Sequence, residues 1–129
     1  MTEKQVFISY SRPDADWARS FAEALKQRGI AVWLDQFQLA AGDSIREALE
    51  QGLRQSDVLV TLIDPKIPLQ PAMFFELGAA IGMGKRVVPV VPPNIESSRL
   101  PFELRNRHFL LRESPEETAE ELAQALLAA

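Results

Sequence analysis

The chain reads as a single α/β domain, a parallel sheet wound with helices on both faces. Three observations predict it. Five apolar or β-branched runs, Val6 to Tyr10, Ile30 to Leu34, Val58 to Ile63, Val87 to Val91 and His108 to Leu111, are nearly continuous rather than alternating, as strands covered on both faces require. Segments with helical period lie between them, so strand and helix alternate from end to end. No internal repeat, linker or low-complexity stretch breaks the order, and 129 residues at 47% hydrophobic content suffice for one core.

Each helix carries its own start signal. After the first strand, Asp14 can cap a helix whose inner face is Trp17, Phe21, Ala24 and Leu25, with Gly29 ending it. Ser44 and Glu47 form a capping-box pattern ahead of Ile45, Ala48, Leu49, Gly52 and Leu53, which share one face. A third helix starts near Pro71, with a predicted inward stripe of Phe74, Leu77, Gly78 and Ile81, and with Glu76 and Ala80 on a different side. The last opens with Ser114, Pro115 and Glu117 and turns Ala119, Leu122, Ala123, Leu126 and Leu127 inward. Pro89 lies inside the fourth strand and lacks a ladder donor, which predicts irregular pairing there.

Composition narrows the chemistry. With no cysteine and one histidine, neither a disulfide framework nor a thiolate zinc site is possible, so no metal centre is expected. A net charge of -4 and a pI near 5.0 argue against nucleic-acid binding, which basic charge drives. The N-terminus MTEKQVFISYS is too poor in apolar residues for a signal peptide, and no run approaches the roughly 20 residues that span a bilayer. A cytoplasmic protein without a membrane role is expected.

Glu76 is the sole charged residue between Lys66 and Lys85, within IPLQPAMFFELGAAIGMG. Burying an ionised carboxylate without partners costs several kcal/mol, so such a group is paired, protonated or held at a cleft for use. In open parallel sheets ligands bind beyond the carboxyl ends of the strands. That places Tyr10, Ser11 and Arg12, the loop Asp35 to Asp43, and Asp64 to Gln70 near one rim, over which Glu76 could lean. Phosphate-loop readings fail, because the glycines of GAAIGMGK follow a helix and precede a strand; they read as packing and cap residues. His108 has no carboxylate or serine motif beside it and reads as a surface or edge histidine. A phospho-acceptor reading of Asp64 lacks acids at the end of the first strand.

These residues match a known pattern. The chain resembles a TIR (Toll/interleukin-1 receptor) domain of bacterial type over essentially its full length, through VFISYSRPD (Val6 to Asp14), VWLDQFQLAAGDSI (Val32 to Ile45), SDVLVTLI (Ser56 to Ile63), FELGAA (Phe75 to Ala80) and GKRVVPVV (Gly84 to Val91). Five such pieces in order are a strong signal together. The resemblance implies a flavodoxin-like sheet of order 2-1-3-4-5. It also implies one of two activities, cleavage of NAD+ between nicotinamide and ribose to linear or cyclic ADP-ribose, or noncatalytic assembly with other TIR domains.

By the same resemblance Glu76 is the catalytic glutamate, and Ser11 and Arg12 line the pocket. Asp35 to Asp43 becomes the loop that gates the site and mediates homo-oligomer assembly. The expected substrate-binding set is Tyr10, Ser11, Arg12, Asp35, Phe37, Gly42 and Phe75, with NAD+ as substrate and no cofactor. Many active members carry a tryptophan one helical turn before the glutamate, where this chain has Ala72. Phe74 or Phe75 could supply the stacking face. Trp33, inside a strand, reads as core, whereas Phe37 in a polar loop could stack a base. A nucleoside or nucleotide N-glycosidase of similar architecture is a third reading.

Overall fold

The computed structural model describes residues 4–34, 45–64, 66, 71–93, 95, 100, 104 and 107–127, with backbone only at 45–49, 71 and 72. Five strands, β1 (Gln5–Ser9), β2 (Ala31–Leu34), β3 (Val58–Leu62), β4 (Arg86–Val91) and β5 (Leu110–Leu111), form one sheet in the order β2-β1-β3-β4-β5. All four pairings are parallel. The helices bounded within the described residues are α1 (Ala15–Gln27), α2 (Ile45–Gln55), α3 (Pro71–Gly82) and α4 (Pro115–Leu127). The fold class and strand order expected from the sequence are those observed.

The pleat divides the core in two. Val6, Ile8, Val58, Val60, Val88 and Val90 face α1 and α4, where they meet Phe21, Leu25, Leu122 and Leu126. Phe7, Leu59, Val87 and Val91 face α2 and α3, against Leu53, Leu77 and Ala80. Because both faces of each inner strand are buried, the strands read as unbroken apolar runs.

Helix ends follow local chemistry. Gly29 closes α1 with φ 81°, while the amide of Ile30 donates to the Leu25 carbonyl at 3.1 Å. Gly84 does the same after α3, with φ 72° and Lys85 N–H bonded to the Ala80 carbonyl at 2.9 Å. Both are left-handed helix caps that only glycine adopts without a Cβ penalty. At α4, Ser114 Oγ accepts from the Glu117 amide at 3.2 Å, as its capping pattern predicts. The Ser44 and Glu47 pattern lies outside the described side chains.

Several expectations need correction. The buried face of α3 is Met73, Glu76, Leu77 and Ala80, whereas Phe74 is 48% exposed and Ile81 is exposed as well. The helix is apolar around most of its circumference, so periodicity gave no unique inner face. Gly78 and Gly82 face open space, not a close packing contact. Leu127 is exposed at the carboxyl end of α4, and the buried set there is Thr118, Ala119, Leu122, Ala123 and Leu126. Asp14 occupies the cap position of α1 but makes no capping hydrogen bond.

Pro89 does not disturb the ladder, which runs without a break from Val58↔Arg86 to Leu62↔Val90. The Val90 carbonyl accepts from Ile63 on the β3 side, and the Val91 carbonyl accepts from Arg112 on the β5 side. By alternation the missing donor of Pro89 points toward β5, one residue before that ladder begins at Val90↔Leu110. No helix among the described residues is long and apolar enough to cross a membrane.

Trp33 lies on the α2/α3 side, stacked on Phe7 with ring centroids 6.5 Å apart. Gly52 of α2 presses on this pair. A Cβ there would lie 2.7 Å from the Trp33 ring and 2.9 Å from Phe7. We expect Gly52→Ala to lower stability by about 1–2 kcal/mol, because overpacking outweighs the ~1 kcal/mol gain in helix propensity. A urea midpoint equal to or above the parent's would refute the close approach.

Candidate active site

Two polar clusters are buried at the carboxyl ends of the strands, on opposite faces of the sheet. The first centres on Glu76, which has 0% exposure. Ser9, the last residue of β1, points to the same face as Phe7 and donates its hydroxyl to Glu76 Oε1 at 2.7 Å. A hydrogen bond to a carboxylate is charge-assisted and roughly twice as strong as a neutral one. Thr61 of β3 pairs with Ser9 in the ladder. Its Oγ1 is buried with no hydrogen-bond partner among the described residues. An unsatisfied buried hydroxyl costs about 1–3 kcal/mol, so two strand ends and one helix here maintain a polar point within an apolar layer.

About three turns of apolar helix bring the carboxylate there. Met73, Leu77 and Ala80 dock α3 on the sheet, and Glu76, one turn from both Met73 and Ala80, is carried inward with them. Phe75, 41% exposed, lies on the outer side with Phe74, Ile81 and Met83. The result is a helix with its one charge inside and its bulky rings outside.

The second cluster faces α1 and α4. The 3-10 turn Arg12–Asp14 follows β1, and there Ser11 Oγ donates to Asp14 Oδ2 at 3.2 Å. Arg112, just past β5, donates to Asp14 Oδ1 at 2.7 Å and to the Ile63 carbonyl at 3.3 Å. Its guanidinium also sits 5.0 Å from the centre of the Trp17 ring. Burial raises the Asp14 carboxyl above its ordinary pKa, Arg112 opposes that shift, and nearby Asp64 adds to it. One arginine therefore ties together the ends of β1, β3 and β5.

Of the site residues expected from the sequence, Glu76 is at the carboxyl end of the sheet but beneath α3 rather than over the rim. Ser11 is buried and engaged with Asp14. Arg12 is exposed at the first turn, and Tyr10 is half-buried against the α1/α4 core. Asp35, Phe37 and Gly42 lie outside the described residues, as does the Asp35 to Asp43 loop. Sequence reasoning missed Ser9, Thr61 and Arg112. A polar residue at an inward position of an apolar strand was the available signal for Ser9 and Thr61; Arg112 had none.

The TIR domain family model matches residues 6–127. A stretch of 55 residues, 42% of this chain, is 46% identical to the 2' cyclic ADP-D-ribose synthase AbTIR of Acinetobacter baumannii and covers 20% of that protein. A stretch of 55 residues, again 42% of the chain, is 40% identical to the NAD(+) hydrolase TcpA of a Theionarchaea archaeon and covers 17% of it. The chain thus spans a fifth or less of the length of these curated relatives. Among solved structures, the TIR domain of the Toll-related receptor TRR-2 from Hydra magnipapillata superimposes with a TM-score of 0.70 over 95% of this chain and 94% of that one, at 17% identity. With the family matched over nearly its whole length and the strand order that goes with it, the chain belongs to the TIR domain family.

Proposed function

We propose that this domain cleaves NAD+ at the bond between nicotinamide and ribose, with Glu76 as the catalytic carboxylate. The observation that carries the reading is the buried Ser9–Glu76 pair at the carboxyl end of β1, in a family whose similar members are named NAD(+) hydrolase and 2' cyclic ADP-D-ribose synthase.

One carboxylate is enough for this reaction. Hydrolysis of an ordinary glycoside uses two, one of them to protonate the leaving oxygen. The nicotinamide nitrogen of NAD+ is already cationic, so as its bond to the anomeric carbon breaks it keeps the electron pair and leaves neutral, without a general acid. The ribose acquires oxocarbenium character, which a negative group beside it stabilises. Water then attacks the anomeric carbon and loses its proton, giving ADP-ribose. A hydroxyl of the same molecule attacking instead gives a cyclic product.

Ser9 acts as a positioning residue, fixing the Glu76 carboxylate through its hydroxyl. The side chains of Arg12 and Phe75, both exposed near this end of the sheet, are proposed to bind the pyrophosphate and to stack a ring. Tyr10, Ser11, Asp35, Phe37 and Gly42 complete the proposed substrate set. Because Glu76 has no exposed surface in the single chain, the site must open for substrate. Assembly with further TIR domains through the Asp35 to Asp43 loop is proposed to do this.

The complete burial of Glu76 also favours a second reading, a noncatalytic scaffold in which Ser9 and Glu76 are structural. The two separate in one assay: nicotinamide release from NAD+ over a series of protein concentrations extending to crowded conditions. The enzyme reading expects release that rises more steeply than concentration. Absence of release throughout overturns it. Ser9→Ala is expected to slow release by about tenfold through a misplaced carboxylate.

A further inference from the structure

We propose that a second cavity, between the amino ends of β4 and β5 and the outer part of α4, binds a phosphate-bearing aromatic compound of nucleoside monophosphate size. The cavity measures about 680 Å³ and is lined by Arg86, Arg107, His108, Phe109, Leu122 and Ala125, among others. Small-molecule sites commonly occupy about 300–1,000 Å³. This proposal does not depend on NAD+ cleavage.

The chemistry of the lining is selective. Arg86, Arg107 and His108 line it, and none of the described lining residues is acidic, in a chain whose net charge is -4. The carboxylates of α4 gather elsewhere, with Glu116, Glu117, Glu120 and Glu121, joined by Glu113 just before the helix, around a separate concavity beside Arg28. Among the described residues, positive charge thus gathers here against the sign of the whole molecule. Guanidinium groups match phosphate oxygens in paired, charge-assisted hydrogen bonds. Phe109, 56% exposed, lines it next to His108 and offers a ring face that an aliphatic side chain would not. Leu122 and Val88 close the floor with buried apolar surface. An anion at one end and a flat ring at the other satisfy all three features at once.

Geometry separates this cavity from Glu76. Ser9, Thr61 and Pro89 form one row across the sheet. Arg86 stands three residues before Pro89, about 10 Å toward the amino end at ~3.3 Å per residue. Leu122 belongs to the α1/α4 side, whereas Glu76 lies under α3 on the other face.

His108 is the single histidine of the chain, so its imidazole protons give one resolved reporter in proton NMR at fixed pH. We expect AMP to shift them saturably, and adenosine and inorganic phosphate to bind at least about tenfold more weakly. Arg86→Ala, at an exposed position, and Arg107→Ala should each weaken AMP by about tenfold. Phe109→Ala should reduce AMP to the level of phosphate, and Glu76→Gln should leave the titration unchanged. The proposal is overturned by no shift with AMP, by adenosine or phosphate binding as tightly as AMP, or by indifference to both arginine variants. A shift lost in Glu76→Gln, or one that tracks protein concentration instead of AMP, overturns it equally.

Discussion

Glu76→Gln is expected to lower nicotinamide release from NAD+ by about a thousandfold while leaving the domain folded. Removing the negative charge deletes the group that opposes the oxocarbenium ion, and the loss of one preorganised electrostatic element typically costs a hundred- to a thousandfold. Glutamine keeps the size of the side chain and an oxygen that can accept from Ser9 Oγ, now at 2.7 Å from Oε1. A neutral amide of the same size is also less costly to bury than a carboxylate. The urea midpoint should therefore stay close to that of the parent. A variant that folds as well and turns over as fast would make Glu76 structural and return the domain to the scaffold reading.

Arg112→Met is expected to cost about 3 kcal/mol of stability. The Arg112 side chain is 17% exposed and that of Asp14 5%, so the pair is largely desolvated, and breaking such a pair strands a buried charge. Methionine fills much of the space but leaves Asp14 without its guanidinium, the Ile63 carbonyl without its donor and the Trp17 ring without its cation. A loss under about 1 kcal/mol would mean that the pair behaves as an exposed one.

The pH dependence of that loss follows from Asp14. Burial holds its carboxyl above the ordinary value of 3.8, with Arg112 pulling it down and Asp64 pushing it up. A group with a raised pKa binds its proton more firmly in the folded state than in the unfolded chain. Its contribution to stability therefore falls as the pH rises from about 3.8 through the folded value, and recovers on acidification. Without Arg112 the folded value rises further. The deficit of Arg112→Met relative to the parent should thus be greatest near neutral pH and shrink as the pH is lowered. Urea melts at several pH values measure this, and a deficit that grows on acidification would contradict the assigned pairing.

Much of the scaffold was legible along the chain. The five apolar runs correspond to β1 through β5, and Gly29 and Gly84 end helices where their left-handed backbone is needed. Ser114 caps α4 as its neighbours predict. These are outcomes of interactions within a few residues. The site was legible only in part. Glu76 stood out because a lone charge in an apolar helix is an electrostatic anomaly, yet its direction was misjudged: α3 has more than one apolar side, and docking on Met73, Leu77 and Ala80 selected the one that carries Glu76 inward. Asp14 reads locally as a helix cap, whereas an arginine 98 residues after it claims its carboxylate.

The sequence by itself determined the alternation of strand and helix, the double burial of the sheet, the family, and the one carboxylate on which NAD+ chemistry could turn. Backbone periodicity, capping and hydrophobic runs are local, so they can be read in order along the chain. Only the tertiary structure decided that Glu76 lies beneath α3 with Ser9, that Arg112 braces three strand ends, and that Arg86, Arg107 and His108 meet around one cavity. Those pairings join residues far apart in sequence. Which of several apolar faces is buried, and which charges then meet, is fixed by the packing of neighbouring elements.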